Sequence, residues 1–465
     1  MNHNPLVDPD GSPPNDWRGE SRVKVVIVGA GEVGSSIAAS LADSHDVIVI
    51  DVDSTRVEEL NYAIDALAIE GDGTDLDVLT EAGVEEADMV IACTDNDETN
   101  IVTCGTVKTV TDAFTIARVK QATYIETWEQ SESAFDVDFM VGTNLLTARA
   151  IVQVIGIPAA RDVDTFVGGR VQMAEFEIPE ASPVAGQTVQ EADRFESLTF
   201  AAIIRPDELV IPTGETTIRP GDEVVVIGSR GSVRKLAAEI APHHGGNSDI
   251  LIVGGCNIAY QTAGLLEDKG IHPRLVERDP ERARELAEDL PNTRVLQSDA
   301  TDRDFLEREH VERVDALIAT LASDEQNLLA CLIARRMGAE RTVAVVEDPE
   351  YVDLFEEVGV DVAVNPREVT AEEITRFTRE RRAENVSLIE NDRAEVLEVE
   401  VDDSSVLVGR PIREAVQDLP EAVVVGAITR NGDFVIPRGD TVVEPGDHVV
   451  VFADESVIDA VTAAI

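Results

Sequence analysis

Residues 211–228 read IPTGETTIRPGDEVVVIG and residues 436–453 read IPRGDTVVEPGDHVVVFA, identical at ten of eighteen positions and 225 residues apart. The same offset carries Gly29, in VVIVGAGEVG, onto Gly254, in ILIVGGCNIA. Two markers on one offset describe a unit written twice, so a fold that satisfies the first half must also satisfy the second. Each unit joins a glycine-rich strand-to-helix pattern to a short β-rich module, and no separate catalytic domain stands between them. The 465 residues leave room for two such units of two modules each.

From position 23, apolar and amphipathic stretches alternate: VKVVIVG, a helix over 33–44, VIVIDVD, a helix over 54–62, ALAIEGD, a helix over 76–82, DMVIACT, a helix over 98–110, then FTIARV. Five short apolar strands separated by helices predict a parallel, doubly wound sheet. A further helix is expected over 136–155, ending at 156–158 because proline disfavours continuation. From 169 to 240 the texture changes to short strands with Gly and Pro turns, closed by a helix over 232–240. The second unit repeats this order, with five β/α alternations over 249–365, a charged helix over 368–383 and a β-rich module over 394–465.

The expected fold class is α/β: two Rossmann-like doubly wound parallel sheets at 23–145 and 249–370. Each is followed by a small α+β module, at 160–242 and 385–465. Residues 1–22, rich in Pro, Asn, Asp and Gly without periodicity, are expected to form a disordered tail, and 243–248 a polar linker.

In Gly29-Ala30-Gly31-Glu32-Val33-Gly34 the first glycine permits the tight turn after the strand. The second lets backbone approach a pyrophosphate, and the third lets helix pack on sheet, which leaves the phosphates at a helix N-terminus. Asp51, twenty-two residues after Gly29, is placed to accept hydrogen bonds from an adenosine ribose, and its charge opposes a 2′-phosphate. NAD(H) is therefore expected over NADP(H). In the second copy Gly254 keeps the turn, Cys256 replaces the glycine nearest the phosphates, Ala259 replaces the third, and Glu277 takes the ribose position. A Cβ at Cys256 crowds a pyrophosphate, so this copy is either a weakened site or a retained fold with a lapsed pocket.

Asp and Glu number 91 against 38 Lys and Arg, a formal net charge of -53, and only five cations are Lys. Nucleic acid is excluded as a partner, and carboxylates spread along the whole chain point to a halophilic source. The cysteines at 93, 104, 256 and 331 form no CxxC or Cys/His pattern, and no signal peptide precedes them, which suggests a reduced cytoplasm. No apolar stretch is long enough to span a bilayer. Seven scattered His residues suggest no catalytic pair or metal site, and carboxylate pairs such as Asp402-Asp403 are read as solvated surface. No catalytic residue and no metal ligand is assigned.

Gly29-x-Gly31-x-x-Gly34, Asp51-x-Asp53-x-x-Arg56, Gly71-Asp72-Gly73-Thr74-Asp75 and the run from Ala92 to Asn100 resemble the N-terminal half of an RCK (KTN) domain. Residues 169–240 resemble the C-terminal module of that family, and both are repeated. The resemblance implies a cytoplasmic, non-catalytic ring of RCK units, peripheral at the inner face of the cell membrane. That ring would sit beneath an integral potassium-translocating subunit of the Trk type and be gated by NAD(H), with ATP or ADP as further ligands.

Carried over by residue, it implies that Gly29, Ala30, Gly31, Glu32, Val33 and Gly34 cradle phosphates. Asp51 would hold the ribose, Thr94 and Asp95 would approach the dinucleotide, and Arg118 would supply a cation. The second set would be Gly254, Gly255, Cys256, Asn257, Ile258 and Glu277, with Asp72 and Asp299 on the adenine side. Many relatives carry Arg after the second glycine; Glu32 stands there and is expected to weaken ATP relative to NAD(H). A regulator of another cation channel or exchanger, or an NAD-dependent dehydrogenase, are the competing readings.

The charge generates a test. Unscreened self-repulsion opposes the compact state, while at molar salt the screening length falls to about 3 Å. Thermal unfolding followed from molar salt down to about 0.1 M is expected to show a large fall in midpoint; an unchanged midpoint removes the halophile reading.

Overall fold

In the computed structural model the described residues are 22–42, 45–64, 66–131, 134–157, 159–205, 208–241, 249–300, 302–379, 385–389, 394–420 and 422–465. The expected tail (1–22, apart from Arg22) and linker (243–248) lie outside them, as do the last residues of the expected helix over 368–383.

The chain divides into two units. The first comprises Met1–Ala148, Val346–Pro349 and Asn365–Thr375; the second holds the remainder. The first half begins with β1 (Lys24–Val28), α1 (Glu32–Ala42), β2 (Asp46–Asp51), α2 (Ser54–Ala63), β3 (Leu67–Glu70), α3 (Leu76–Glu81), β4 (Met89–Ala92), α4 (Asp97–Val107), β5 (Phe114–Val119), α5 (Ala122–Glu129), β6 (Phe139–Gly142) and α6 (Thr143–Ile155). Its sheet runs β3-β2-β1-β4-β5-β6, all parallel, which is the doubly wound order with its switch point between β1 and β4. β1 is buried from Val25 to Val28 because helices cover both faces, and so it reads as a continuous apolar run.

A correction falls on residues 136–155. The expected uninterrupted helix is a strand, β6, followed directly by α6, and the sheet has six strands where five were expected. The run Phe139–Gly142 is four residues long and passes directly into the helix at Thr143, with no turn between. A short apolar run of that kind has no periodicity to separate strand from buried helix.

The module that follows is β7 (Ala160–Phe166), β8 (Val171–Glu177), α7 (Val189–Ala192), β9 (Leu198–Arg205), β10 (Glu208–Val210), β11 (Glu223–Ser229) and α8 (Arg230–Ile240). Its antiparallel order is β10-β9-β11-β8-β7, and one strand, β7, precedes the β-rich texture read from 169 and lies within the 160–242 bounds.

The second half repeats everything. β12 (Ile250–Val253), α9 (Asn257–Asp268), β13 (Arg274–Glu277), α10 (Pro280–Asp289), β14 (Arg294–Gln297), α11 (Arg303–Arg308), β15 (Ala316–Ala319), α12 (Asp324–Met337), β16 (Thr342–Val345), α13 (Val352–Glu357) and β17 (Val362–Val364) lead into α14 (Pro366–Arg379). The sheet order β14-β13-β12-β15-β16-β17 matches the first, again with six strands. The last module is β18 (Asn385–Ile389), β19 (Ala394–Glu400), α15 (Ile412–Ala415), β20 (Val423–Arg430), β21 (Asp433–Val435), β22 (His448–Asp454) and α16 (Ile458–Ala464), so one strand, β18, precedes the β-rich texture read from 394 and lies within the 385–465 bounds.

The repetition extends to irregularities. In the first module Ala201 is passed over where β9 pairs β11, and in the second Gly426, 225 residues later, is passed over where β20 pairs β22. A bulge kept at one position in both copies bends both sheets alike. The bent faces share a core, with Met173, Ala201 and Ile227 from one module against Val396, Ala427 and Phe452 from the other. A Cβ on Gly426 would lie 2.5 Å from Cδ1 of Ile227, so glycine there permits the close approach of the sheets. Glu398, buried in that interface, accepts a bond from the Val167 amide at 2.8 Å, and its other oxygen is 3.4 Å from Nδ1 of His448.

Arg341, next to β16, is buried and donates to the carbonyls of Val154 (3.0 Å), Ile157 (2.9 Å) and Ala160. It thereby caps the C-terminal end of α6 and the turn into β7, where helix carbonyls lack partners within the helix. Burial pushes its guanidinium down to about 10, against the opposing pull of Asp361. Replacing Arg341 with Met removes the charged donor from three carbonyls, and those of Val154 and Ile157 keep only a long backbone bond, from the Ile157 and Ala160 amides at 3.3 Å each. The expected loss is about 3 kcal/mol, since a hydrogen bond to a charged group contributes roughly 1.5–3 kcal/mol. Urea unfolding of the full chain checks this, and a midpoint equal to wild type would sink the pinning role.

Candidate nucleotide site

At the end of β1 the chain turns through Gly29 at φ +110°, a conformation L side chains rarely adopt. A Cβ on Gly34 would overlap the Gly29 carbonyl oxygen, so α1 can lie against the turn only without one. At Gly31 the space is of another kind. A Cβ there would meet only Nη1 of Arg56, at 3.7 Å, so the loop is open on the side where a phosphate would approach. The first bond of the helical ladder is Ser35 N–H to Gly31 O (2.8 Å). The amides of the first turn therefore precede the ladder, and a helix N-terminus of this kind favours an anion.

Asp51 is buried, 8 % exposed, at the end of β2. One oxygen accepts from the Ala30 amide (2.5 Å) and the other from the Asp53 amide (2.8 Å), while Arg56 lies 3.9 Å away. The carboxylate thus shapes the glycine loop and retains lone pairs that a ribose hydroxyl can use. The structure brings Gly29 to Gly34, Asp51, Thr94 and Arg118 into one neighbourhood: Thr94 packs on Gly29, and Cys93 Sγ lies 3.7 Å from the Gly29 carbonyl. Burial pushes the Cys93 thiol up to about 12, so it is a packing group.

Arg118, only 3 % exposed, reaches Thr143 Oγ1 (3.1 Å), the Cys93 carbonyl (3.5 Å) and Asp95 (3.4 Å). Asp95 also takes Lys120 at 3.1 Å. Burial alone would raise the Asp95 carboxyl, but the Lys120 bond and the charges of Lys120, Arg118 and Arg367 outweigh it and hold the group below its ordinary range. Asn100 of α4 ties the strand ends together, donating to the carbonyls of Thr94 (2.9 Å) and Arg118 (2.8 Å). Asp72 is used differently. Its carboxylate accepts from the backbone and hydroxyl of Thr74 (2.9 and 2.7 Å), which lowers its pKa and stiffens the loop after β3.

Sequence reasoning missed Arg367 and Asn100. Arg367 belongs to the second repeat, yet its guanidinium donates to Glu32 and stands 4.0 Å from Glu347. No local motif signals this; Asn100 could have been found because Asn327, 227 residues later, repeats its bonds to strand ends at Leu321 and Val345.

In the second copy Gly254 turns at φ +103°, and Glu277 accepts from the Gly255 amide (2.7 Å) and the Asp279 amide (2.7 Å). A Cβ on Gly255 would lie 2.5 Å from that Glu277 oxygen, so the longer carboxylate is accommodated by a smaller loop residue. Cys256 caps α9 and is exposed; Asn257 and Ile258 form its first turn, and the Asp299 carbonyl accepts from the Asp302 amide. The matching register places Leu321, Ala322 and Val345 where the first copy has Thr94, Asp95 and Arg118. The charged lip of the first site is therefore replaced by apolar residues in the second, a difference independent of Cys256.

The TrkA-N domain model matches residues 25–142 and 250–366, and the TrkA-C domain model matches 173–241 and 396–465. The Trk system potassium uptake protein TrkA homolog of Archaeoglobus fulgidus is 37 % identical over 416 residues, covering 90 % of this chain and 94 % of the relative. TrkA homolog 1 of Methanosarcina mazei is 34 % identical over 425 residues, with the same coverage. The chain belongs to the TrkA family. Among solved structures the GsuK RCK domain covers 97 % of each chain at TM-score 0.59 and 21 % identity, and a GsuK channel bound to NAD gives 0.58. The TrkA-N and TrkA-C pair thus appears twice in this TrkA-family chain, and among the described residues no helix is long and apolar enough to cross a membrane.

The open face at Gly31 and the capped face at Cys256 make the two copies unequal. On the full chain, Gly31→Ala is expected to reduce nucleotide affinity at least about tenfold, since a methyl occupies the phosphate approach. Cys256→Ala is expected to change it less than about twofold, because both residues carry the Cβ that crowds a pyrophosphate. Calorimetric titration reports both, and equal losses would refute the crowding argument.

Proposed function

We infer that this TrkA-family chain is a nucleotide-binding regulatory subunit of potassium transport. The observation that carries the reading is the first glycine cradle with Asp51 closing it, set in a tandem of RCK-like halves whose modules contribute β structure in place of a substrate domain. NAD(H) is the proposed ligand of the first site, held by Gly29 to Gly34 and Asp51, with Thr94 and Asp95 at its lip; ADP and ATP are further candidates. When bound, the nucleotide supplies two or more phosphate charges and a ribose diol, and nothing in the role asked of it requires turnover.

The proposed partner is an integral potassium-translocating subunit of the Trk type, on whose cytoplasmic face several copies of this chain form a ring. Ligand binding can act on that partner only if two arrangements of the chain differ in affinity for the nucleotide. The names of the relatives support the potassium system, and the tandem order supports a regulator over a dehydrogenase.

Titration in high salt is expected to show tighter binding of NADH than of NADPH, because Asp51 accepts from a 2′-hydroxyl and repels a 2′-phosphate; equal or tighter NADPH binding would sink the ribose assignment. Co-expression with a Trk-type membrane subunit in potassium-uptake-deficient cells is expected to restore uptake only when both are present. Sustained NADH oxidation by the purified chain with candidate carbonyl substrates would overturn the non-catalytic reading.

A further inference from the structure

We propose that Arg367, contributed by the second repeat, is a phosphate ligand of the first nucleotide site and exchanges the Glu32 carboxylate for the terminal phosphates of a nucleoside di- or triphosphate. The inference rests on reading residues 29–34 as the phosphate cradle and goes beyond it by drawing one ligand from the other half of the chain.

Glu32 directly follows Gly31 and opens α1, so its carboxylate stands at the mouth of the cradle. Arg367, the second residue of α14, donates to it from a side chain 29 % exposed, against 46 % for Glu32. The same guanidinium is near enough to Asp95, on the opposite lip, for its charge to act there. Arg367 therefore faces both lips of the cradle, within the first unit of the chain.

Two of the other cations of the site are held elsewhere, and the third, Arg56, stands beside Gly31 on the Asp51 side of the cradle. Arg118 is buried and fixed by Thr143, the Cys93 carbonyl and Asp95; Lys120 is paired with Asp95; Arg56 lies 3.9 and 3.8 Å from Asp51 and Asp53. Arg367 is bound to exposed carboxylates, which water screens and which a competing anion can displace. A terminal phosphate offers more charge than a carboxylate and accepts a guanidinium in two parallel bonds, so the exchange favours the ligand with more terminal charge.

Glu32 and Arg367 act as opposed groups. Glu32 repels the incoming phosphate while holding the cation that attracts it, and the site becomes selective for ligands charged enough to take that cation away. The guanidinium sits on α14, where Thr370 also bonds Thr143 Oγ1 at 3.2 Å, the same hydroxyl that receives Arg118. Occupancy of a site in the first repeat would thus be felt by a helix of the second.

The test is titration of the full chain, at one fixed salt concentration at which it is folded, with NADH, ADP and ATP. It compares wild type, Arg367→Gln, Arg367→Lys, Glu32→Gln and the Arg367→Gln/Glu32→Gln double variant. The expected result for Arg367→Gln is a loss that grows with terminal charge, about tenfold or more for ATP, less for ADP and least for NADH. Arg367→Lys is expected to fall between, and Glu32→Gln to tighten ATP. The double variant must remain weaker than Glu32→Gln by about the same factor.

Unchanged affinity in Arg367→Gln overturns the proposal. So does a loss equal for all three ligands, which is the mark of a general structural effect, or a double variant with the affinity of Glu32→Gln, which would mean that Arg367 only neutralises Glu32. Failure of the nucleotide reading itself looks different: wild type would then bind none of the three.

Discussion

The fold of each half depends on backbone passing where no side chain fits. The Gly29 turn at φ +110° and the contact that Gly34 allows against the Gly29 carbonyl set the distance between α1 and the sheet. That distance places the first-turn amides at the switch point between β1 and β4, and Asp51 then locks the loop by accepting from Ala30. Chemistry and packing share the same atoms. The carboxylate that can receive a ribose is also the one that gives the cradle its shape, so ligand recognition is tied to the stability of the loop itself.

Duplication has let the two copies diverge around a common backbone. The turn glycine, the carboxylate closing the loop, the Asn in the first turn of the fourth helix and the bulge in the β-rich module are all retained. The polar lip is not, since Thr94, Asp95 and Arg118 are matched by Leu321, Ala322 and Val345. Retained features are those without which the sheet or loop cannot close, and the residues that differ lie at the lip of the cradle. The two halves thus share one architecture and differ in the polarity of the lip.

Much of this was legible in the residues. The alternation of apolar strands with helices, the glycine spacing and the acid at the end of β2 are local signals with a defined geometry, and the repeat doubled the alternation, the turn glycine at an offset of 225 and the acid at 226. The sixth strand was not legible because Phe139 to Gly142 run straight into α6, with no intervening turn to mark the change. The unequal lips were readable in principle, but the offset drifts to 227 by the fourth strand, which hides the pairing of Arg118 with Val345. Arg367 was not readable at all. Its partner Glu32 lies 335 residues away, and only folding brings the two charges together.

Arg341 makes the two repeats depend on each other. A guanidinium of the second repeat fills the end of a helix of the first, with three carbonyls as its ligands. A chain cut at its midpoint would leave one fragment with an open helix end and the other with a cation stripped of its acceptors. Loss of either half would leave unpartnered polar groups at this joint, so one buried side chain makes each half a structural requirement of the other.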